Sequence, residues 1–79
     1  YAYIEHDCVI GDFVTLAPGA KVNGNITIGD HVYIGSGAVI RQGTTIGPGA
    51  TIGMGAVVLR DVPPGVTVVG NPAKALLKE

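Results

Sequence analysis

A single cysteine, Cys8, leaves no partner for an internal disulfide. The only histidines are His6 and His31, so a structural zinc site would lack ligands. Charge is sparse as well. Lys21, Arg41, Arg60, Lys74 and Lys78 stand against six acidic residues, for a net charge of −1. Their scatter excludes the basic stripe of a nucleic-acid binder. Although 47% of the residues are hydrophobic, they are spaced out, and no run approaches the roughly 18 residues of a membrane-spanning helix. No basic segment leads into an apolar one at the start, so no export signal is read and a cytoplasmic setting is expected. A chain of 79 residues has much surface for little volume. Without disulfide or metal, association between copies is the expected support. The chain opens at Tyr1, already inside the pattern described next, and reads as a piece of something longer.

What the sequence has in quantity is period. Every sixth residue from Ile4 onward is a large aliphatic: Ile4, Ile10, Leu16, Val22, Ile28, Ile34, Ile40, Ile46, Ile52, Val58. The fifth position of each hexad is small or β-branched: Cys8, Val14, Ala20, Ile26, Val32, Ala38, Thr44, Ala50, Ala56, Val62. The fifth residue of one hexad and the first of the next lie two apart, so in an extended strand both point inward. The third and fourth positions are then corners. Gly19, Gly37, Gly43, Gly49 and Gly55, with Asp7, Asn25 and Asp61, fill the fourth with residues that tolerate left-handed backbone. Gly11, Gly29, Gly35, Gly47 and Gly53 follow the inward aliphatics, where little side-chain room is expected.

Three such strands close a triangular coil of about eighteen residues, stacked at roughly 4.8 Å per coil. The ten hexads give about three coils, with an interior filled by columns such as Ile10, Ile28 and Ile46 and no internal ligand cavity. A sandwich would show strands of variable length with turns every 8–12 residues, against the strict period here. The coils are expected over 1–63, ending at Pro63-Pro64 because tandem prolines cannot donate to a ladder. Residues 64–79 are expected to form a capping tail. Within it, Val66 to Val69 should be extended, Gly70-Asn71-Pro72 a turn, and Ala73 to Glu79 a short helix or a frayed end.

These hexads resemble those of the hexapeptide-repeat acyltransferases, which form a left-handed parallel β-helix against the usual right-handed crossover rule. The ending Asp61-Val62-Pro63-Pro64-Gly65 with Gly70-Asn71-Pro72-Ala73-Lys74 is similar to that of the acetyl-CoA-dependent members. Ile4-Glu5-His6-Asp7-Cys8-Val9-Ile10-Gly11-Asp12-Phe13, then Ala17-Pro18-Gly19-Ala20 and Gly24-Asn25, is similar to one branch. That branch holds the NeuD-type sialic acid O-acetyltransferases and the bacterial nucleotide-sugar N-acetyltransferases. Its full-length members carry an N-terminal Rossmann-like acceptor-binding domain, to which nothing in these residues corresponds.

The resemblance implies acetyl transfer from acetyl-CoA to an amino or hydroxyl group of a sugar or nucleotide-sugar, by direct attack, in a homotrimer. His6 matches the catalytic base and Asp7 the acidic residue after it. By position alone, His6 is either a solvated corner residue or a base. A histidine does nothing for the turn, its intrinsic pKa suits proton removal, and Asp7 or Glu5 could hold its tautomer. Stacking places Gly24, Gln42 and Arg60 in the His6 column, and Asn25, Gly43 and Asp61 in that of Asp7. Gly24 is expected either to leave space for an acceptor, with Asn25 beside it, or merely to make the turn. Ser36 and Met54, on the corner column of Pro18, match positions that bind the coenzyme's pantetheine arm between subunits, and Gly37 and Gly55 would permit close approach. Thr15 matches another coenzyme contact, where relatives often have histidine. Lys74 is read as a coenzyme phosphate contact or a solvated lysine. His31 and Phe13 share another edge and read as surface or interface residues, and Cys8 as a buried, unreactive thiol.

Two other functions compete. A γ-type carbonic anhydrase needs three zinc-bound histidines, which two on different edges do not supply. A non-catalytic trimeric coil is the other, and binding of acetyl-CoA discriminates it from the enzyme.

Overall fold

The computed structural model describes residues 2–76. Its strands are two-residue steps separated by corners: β1 Tyr3–Ile4, β2 Val9–Ile10, β3 Thr15–Leu16, β4 Lys21–Val22, β5 Thr27–Ile28, β6 Tyr33–Ile34, β7 Val39–Ile40, β8 Thr45–Ile46, β9 Thr51–Ile52 and β10 Val57–Val58. Thr67–Val69 forms β11 and Lys74–Ala75 forms β12. Each pairs with the strand one coil away, so three flat walls result. The first wall runs β1-β4-β7-β10, the second β2-β5-β8, and the third β3-β6-β9-β11-β12. All pairings are parallel except that of β11 with β12. The chain is a left-handed hexapeptide β-helix with no α-helix among the described residues, and no helix there is long and apolar enough to cross a membrane.

The register follows the hexads. Ile10 pairs with Ile28 and Ile28 with Ile46, so the inward aliphatics stack as columns. From Val22 to Val58 every first-position aliphatic is buried to within 1%. Burying each such side chain contributes about 1.5–3 kcal/mol. The first coil is different. Ile4 is 43% and Ile10 37% exposed, and Leu16 is half-buried, because β1, β2 and β3 have a ladder partner on one side only.

Corner chemistry is set by backbone sterics. Asp7, Phe13, Asn25 and His31 take φ near 60°, as the fourth-position glycines do at 70–79°. Phe13 and His31 do so without the local hydrogen-bonding that eases Asn or Asp into this region. Their rings stack at 5.1 Å and 12°. Second-position glycines are required for another reason. A Cβ on Gly29 would lie 2.6 Å from the Pro48 nitrogen, and one on Gly47 would lie 2.5 Å from that of Pro64.

The coil does not stop at Pro63-Pro64. After β10 the spacing between stacked residues shortens from eighteen to sixteen: Val62 bridges Ile46, Thr67 pairs with Thr51, and Val68 with Ile52. The first corner has lost two residues, and Val62 takes a large first-position slot instead of the small fifth-position one expected. Pro64 and Gly65 then sit as a corner over Pro48 and Gly49, with the Gly65 N–H donating to the Pro48 carbonyl at 2.9 Å. Prolines at a corner cost no ladder bond, which is why they do not end the coil. The result is about four turns, not three. The expected terminal helix is replaced, over its described part, by β12. The chain reverses at residues 70–73 and pairs antiparallel with β11, Leu76 N–H donating to the Thr67 carbonyl at 2.7 Å. The rest of that segment lies outside the described residues.

Candidate active site

The triangular section has three edges, and they are not alike. Between walls two and three the second-position residues are Gly11, Gly29 and Gly47. Between walls three and one they are Ala17, Gly35 and Gly53. Along the edge between walls one and two they are Glu5, Asn23, Arg41 and Leu59. All four second-position residues on this last edge carry side chains, and Gly24 stands in the next coil above Glu5.

His6 and Asp7 sit on this edge. His6 Nδ1 lies 2.9 Å from Asp7 Oδ2. An ionised carboxylate only accepts, so the imidazole proton is on Nδ1 and the lone pair on Nε2. The left-handed backbone of Asp7 brings its carboxylate back against the preceding ring. Both side chains are largely exposed, at 76% and 73%. Glu5, the other carboxylate that sequence offered to His6, turns the opposite way and accepts from the Tyr3 hydroxyl at 3.2 Å. That bond, with the Glu5 charge behind it, raises the Tyr3 phenol above its ordinary pKa. Sequence reading missed Tyr3. The signal was there, since residues two apart on a strand share a face.

Of the two expectations for Gly24, open space for an acceptor or simply a turn, the open space is not found. It is buried, and a Cβ there would lie 3.6 Å from both Glu5 Oε1 and His6 Cε1. The missing side chain forms a shelf on which those two residues rest. Asn25 is exposed beside it, and its N–H donates to the His6 carbonyl at 3.2 Å, tying the corner below to the coil above. Asp61 leaves the expected column with Asp7, because the shortened corner turns its carboxylate to accept from the Thr45 N–H at 2.9 Å. Cys8 is half-buried rather than buried, and its thiol donates to the Asn23 carbonyl at 3.1 Å.

The remaining candidates lie elsewhere. Ser36 and Met54 are exposed on the edge between walls three and one, Met54 at 80%. Gly37 and Gly55 beside them have open space where a Cβ would be, so the corner backbone is bare to an approaching chain. The Ser36 carbonyl accepts from the Gly55 N–H at 2.8 Å and keeps a second lone pair. Thr15 is exposed on the outer face of wall three, level with Tyr33. Lys74 lines a cleft of about 260 Å³ with Leu59, Arg60, Pro72 and Ala73. One protomer therefore brings His6, Asp7, Gly24 and Asn25 together, and does not bring Ser36, Met54 or Thr15 to them.

Comparison with known proteins agrees with the fold. The model of the bacterial transferase hexapeptide, six repeats, matches residues 25–60. GDP-perosamine N-acetyltransferase of Escherichia coli O157:H7 is 60% identical over 96% of the chain, which spans 37% of that protein. The acetyltransferase domain of PglB from Neisseria gonorrhoeae, solved with acetyl coenzyme A, is 52% identical. It superposes with a TM-score of 0.93 over 95% of this chain and 37% of its own. PerB from Caulobacter crescentus, solved with CoA and GDP-perosamine, is 37% identical with a TM-score of 0.93 over 95% and 36% of the two chains. The chain thus spans little more than a third of the relatives it matches.

Proposed function

Because this chain belongs to the bacterial hexapeptide-repeat transferases, we propose that it is the catalytic coil of an acetyl-CoA-dependent acetyltransferase acting on the amine of a nucleotide-linked sugar. The observation that carries this is the His6–Asp7 pair at 2.9 Å, which leaves Nε2 free at an exposed edge. The acceptor class is supported by relatives that acetylate or bind GDP-perosamine, and the coenzyme by relatives solved with acetyl-CoA or CoA.

The mechanism follows from the pair. The acceptor nitrogen attacks the thioester carbonyl carbon, and a C–N bond forms as the C–S bond breaks. His6 Nε2 takes the nitrogen's proton as positive charge develops there, and the sulfur leaves and accepts that proton to become the thiol of CoA. Asp7 fixes the tautomer and stabilises the imidazolium through Nδ1. Ser36 and Met54, with the bare backbone at Gly37 and Gly55, would hold the pantetheine arm. Thr15 would offer a hydroxyl to the coenzyme, and Lys74 a charge to its phosphates. These residues lie on a different edge or wall from His6, so the site is completed by a neighbouring subunit of a homotrimer. That neighbour would also exclude water from a histidine that one protomer leaves open.

Two measurements test the reading. His6→Asn should lower kcat by about 10²–10⁴ while binding of acetyl-CoA, followed by calorimetry, stays intact. A rate near that of the parent removes His6 from the chemistry. No coenzyme binding by the parent chain would favour a non-catalytic coil.

A further inference from the structure

Glu5 departs from the pattern of its slot and answers to a residue outside the proposed His6–Asp7 pair. Most second-position residues on the other two edges are glycine. Glu5 is half-buried on the Gly24 shelf, flanking the same glycine as the His6 ring, with Oε1 and Cε1 each 3.6 Å from the Cβ position there. Its other oxygen is held by Tyr3 at 3.2 Å. Among the described residues the salt bridges involve only His6 and Asp7, so no described lysine or arginine neutralises the Glu5 charge. Lys21, which follows Tyr3 in register on the first wall, makes no ion pair with it. A carboxylate partly removed from water, held by a neutral donor and standing beside the proposed base, is matched by a cation arriving from outside.

We propose that Glu5 is the acceptor-recognition residue of the His6 site, binding the protonated amine of the incoming amino sugar, and that Tyr3 is a positioning residue that aims the Glu5 carboxylate. The proposal rests on the acetyltransferase reading and deepens it by naming the carboxylate that receives the acceptor's amine. An amino sugar arrives largely as its ammonium form. Glu5, resting on the same glycine as the His6 ring, concentrates that cation. The ammonium gives up one proton to solvent before attack, and the neutral amine is then delivered beside Nε2. Tyr3 supplies the geometry: its hydroxyl donates to one Glu5 oxygen and leaves Oε1 over Gly24.

The test uses the full chain with GDP-perosamine and acetyl-CoA. Glu5→Gln should raise KM for GDP-perosamine about tenfold, as expected for losing a charge-assisted bond. Tyr3→Phe should raise it about threefold, as for a neutral one. Both should leave KM for acetyl-CoA within about twofold of the parent. Adding Tyr3→Phe to Glu5→Gln should change nothing further, because Tyr3 acts only through the carboxylate. Glu5→Asp, whose carboxylate stops short of the Tyr3 hydroxyl, should resemble Glu5→Gln and become indifferent to Tyr3→Phe. A Tyr3→Phe effect that persists without Glu5, or equal changes in both KM values, overturns the proposal. Should turnover be too slow to follow, calorimetric binding of GDP-perosamine replaces KM: weakening by Glu5→Gln supports the assignment, while equal binding or none overturns it. Parent-like turnover in His6→Asn would instead sink the acetyltransferase reading itself, and transfer that ignores Glu5 would sink this assignment alone.

Discussion

At the residue scale, two kinds of glycine carry opposite costs. Gly47 has ordinary φ but no room, with the Pro64 backbone 2.5 Å from a Cβ. Gly43 has φ 79° and open space around it. Gly43→Ala should therefore cost about 1–2 kcal/mol, the price of left-handed backbone alone. Gly47→Ala must displace a corner of the next coil and should cost more, about 3 kcal/mol or above. Urea denaturation of the two variants checks the order, and equal midpoints would show that the corner yields freely. Tyr3 gives a second prediction. Its phenol is raised by the bond and charge of Glu5, so the folded state favours the protonated form. Whatever stability the bond contributes is present below the ordinary tyrosine range and is lost as pH rises through the raised value. Ultraviolet titration should show Tyr3 ionising at higher pH in the parent than in Glu5→Gln.

At the element scale, a strand of two residues is stable only through its neighbours above and below. Ile28 is 1% exposed between coils on both sides, and Ile4 is 43% exposed with a partner on one. Truncation should follow that difference. Ile28→Ala should cost about 2–5 kcal/mol, whereas Ile4→Ala should cost less than about 1.5 kcal/mol because half its transfer energy is never gained. Thermal melts of both would check this, and a larger loss at Ile4 would mean that the first coil is covered in solution. The tail obeys the same logic. Thr67–Val69 extends wall three by parallel pairing with β9, so it is a further rung of the coil.

At the scale of the whole molecule, His6 and Asp7 lie on one edge and Ser36 and Met54 on another, so in the proposed reading a single protomer holds only part of the site. The proposed trimer is checked by sedimentation equilibrium. A mass near three chains is expected, and a monomer that still transfers acetyl groups at full rate would refute shared sites. The parts of this arrangement were unequally legible. The hexad period announced the coil, the inward columns and the corner glycines, because burial repeats with the backbone and shows in every sixth residue. It did not announce that the coil continues past Pro63-Pro64. That depended on a two-residue shortening, which breaks the period while preserving the stack.

The division between sequence and tertiary structure falls in the same place at the site. Sequence alone determined that this chain winds into a filled prism with its chemistry outside, and it put His6 next to Asp7, because both follow from local spacing. Only the folded coil decided that Asp7 and not Glu5 meets the imidazole, and that Gly24 is a covered shelf and not a gap. Those choices depend on where side chains from one coil come to rest against the backbone of the next. That is a contact between residues about eighteen apart, which no local pattern specifies.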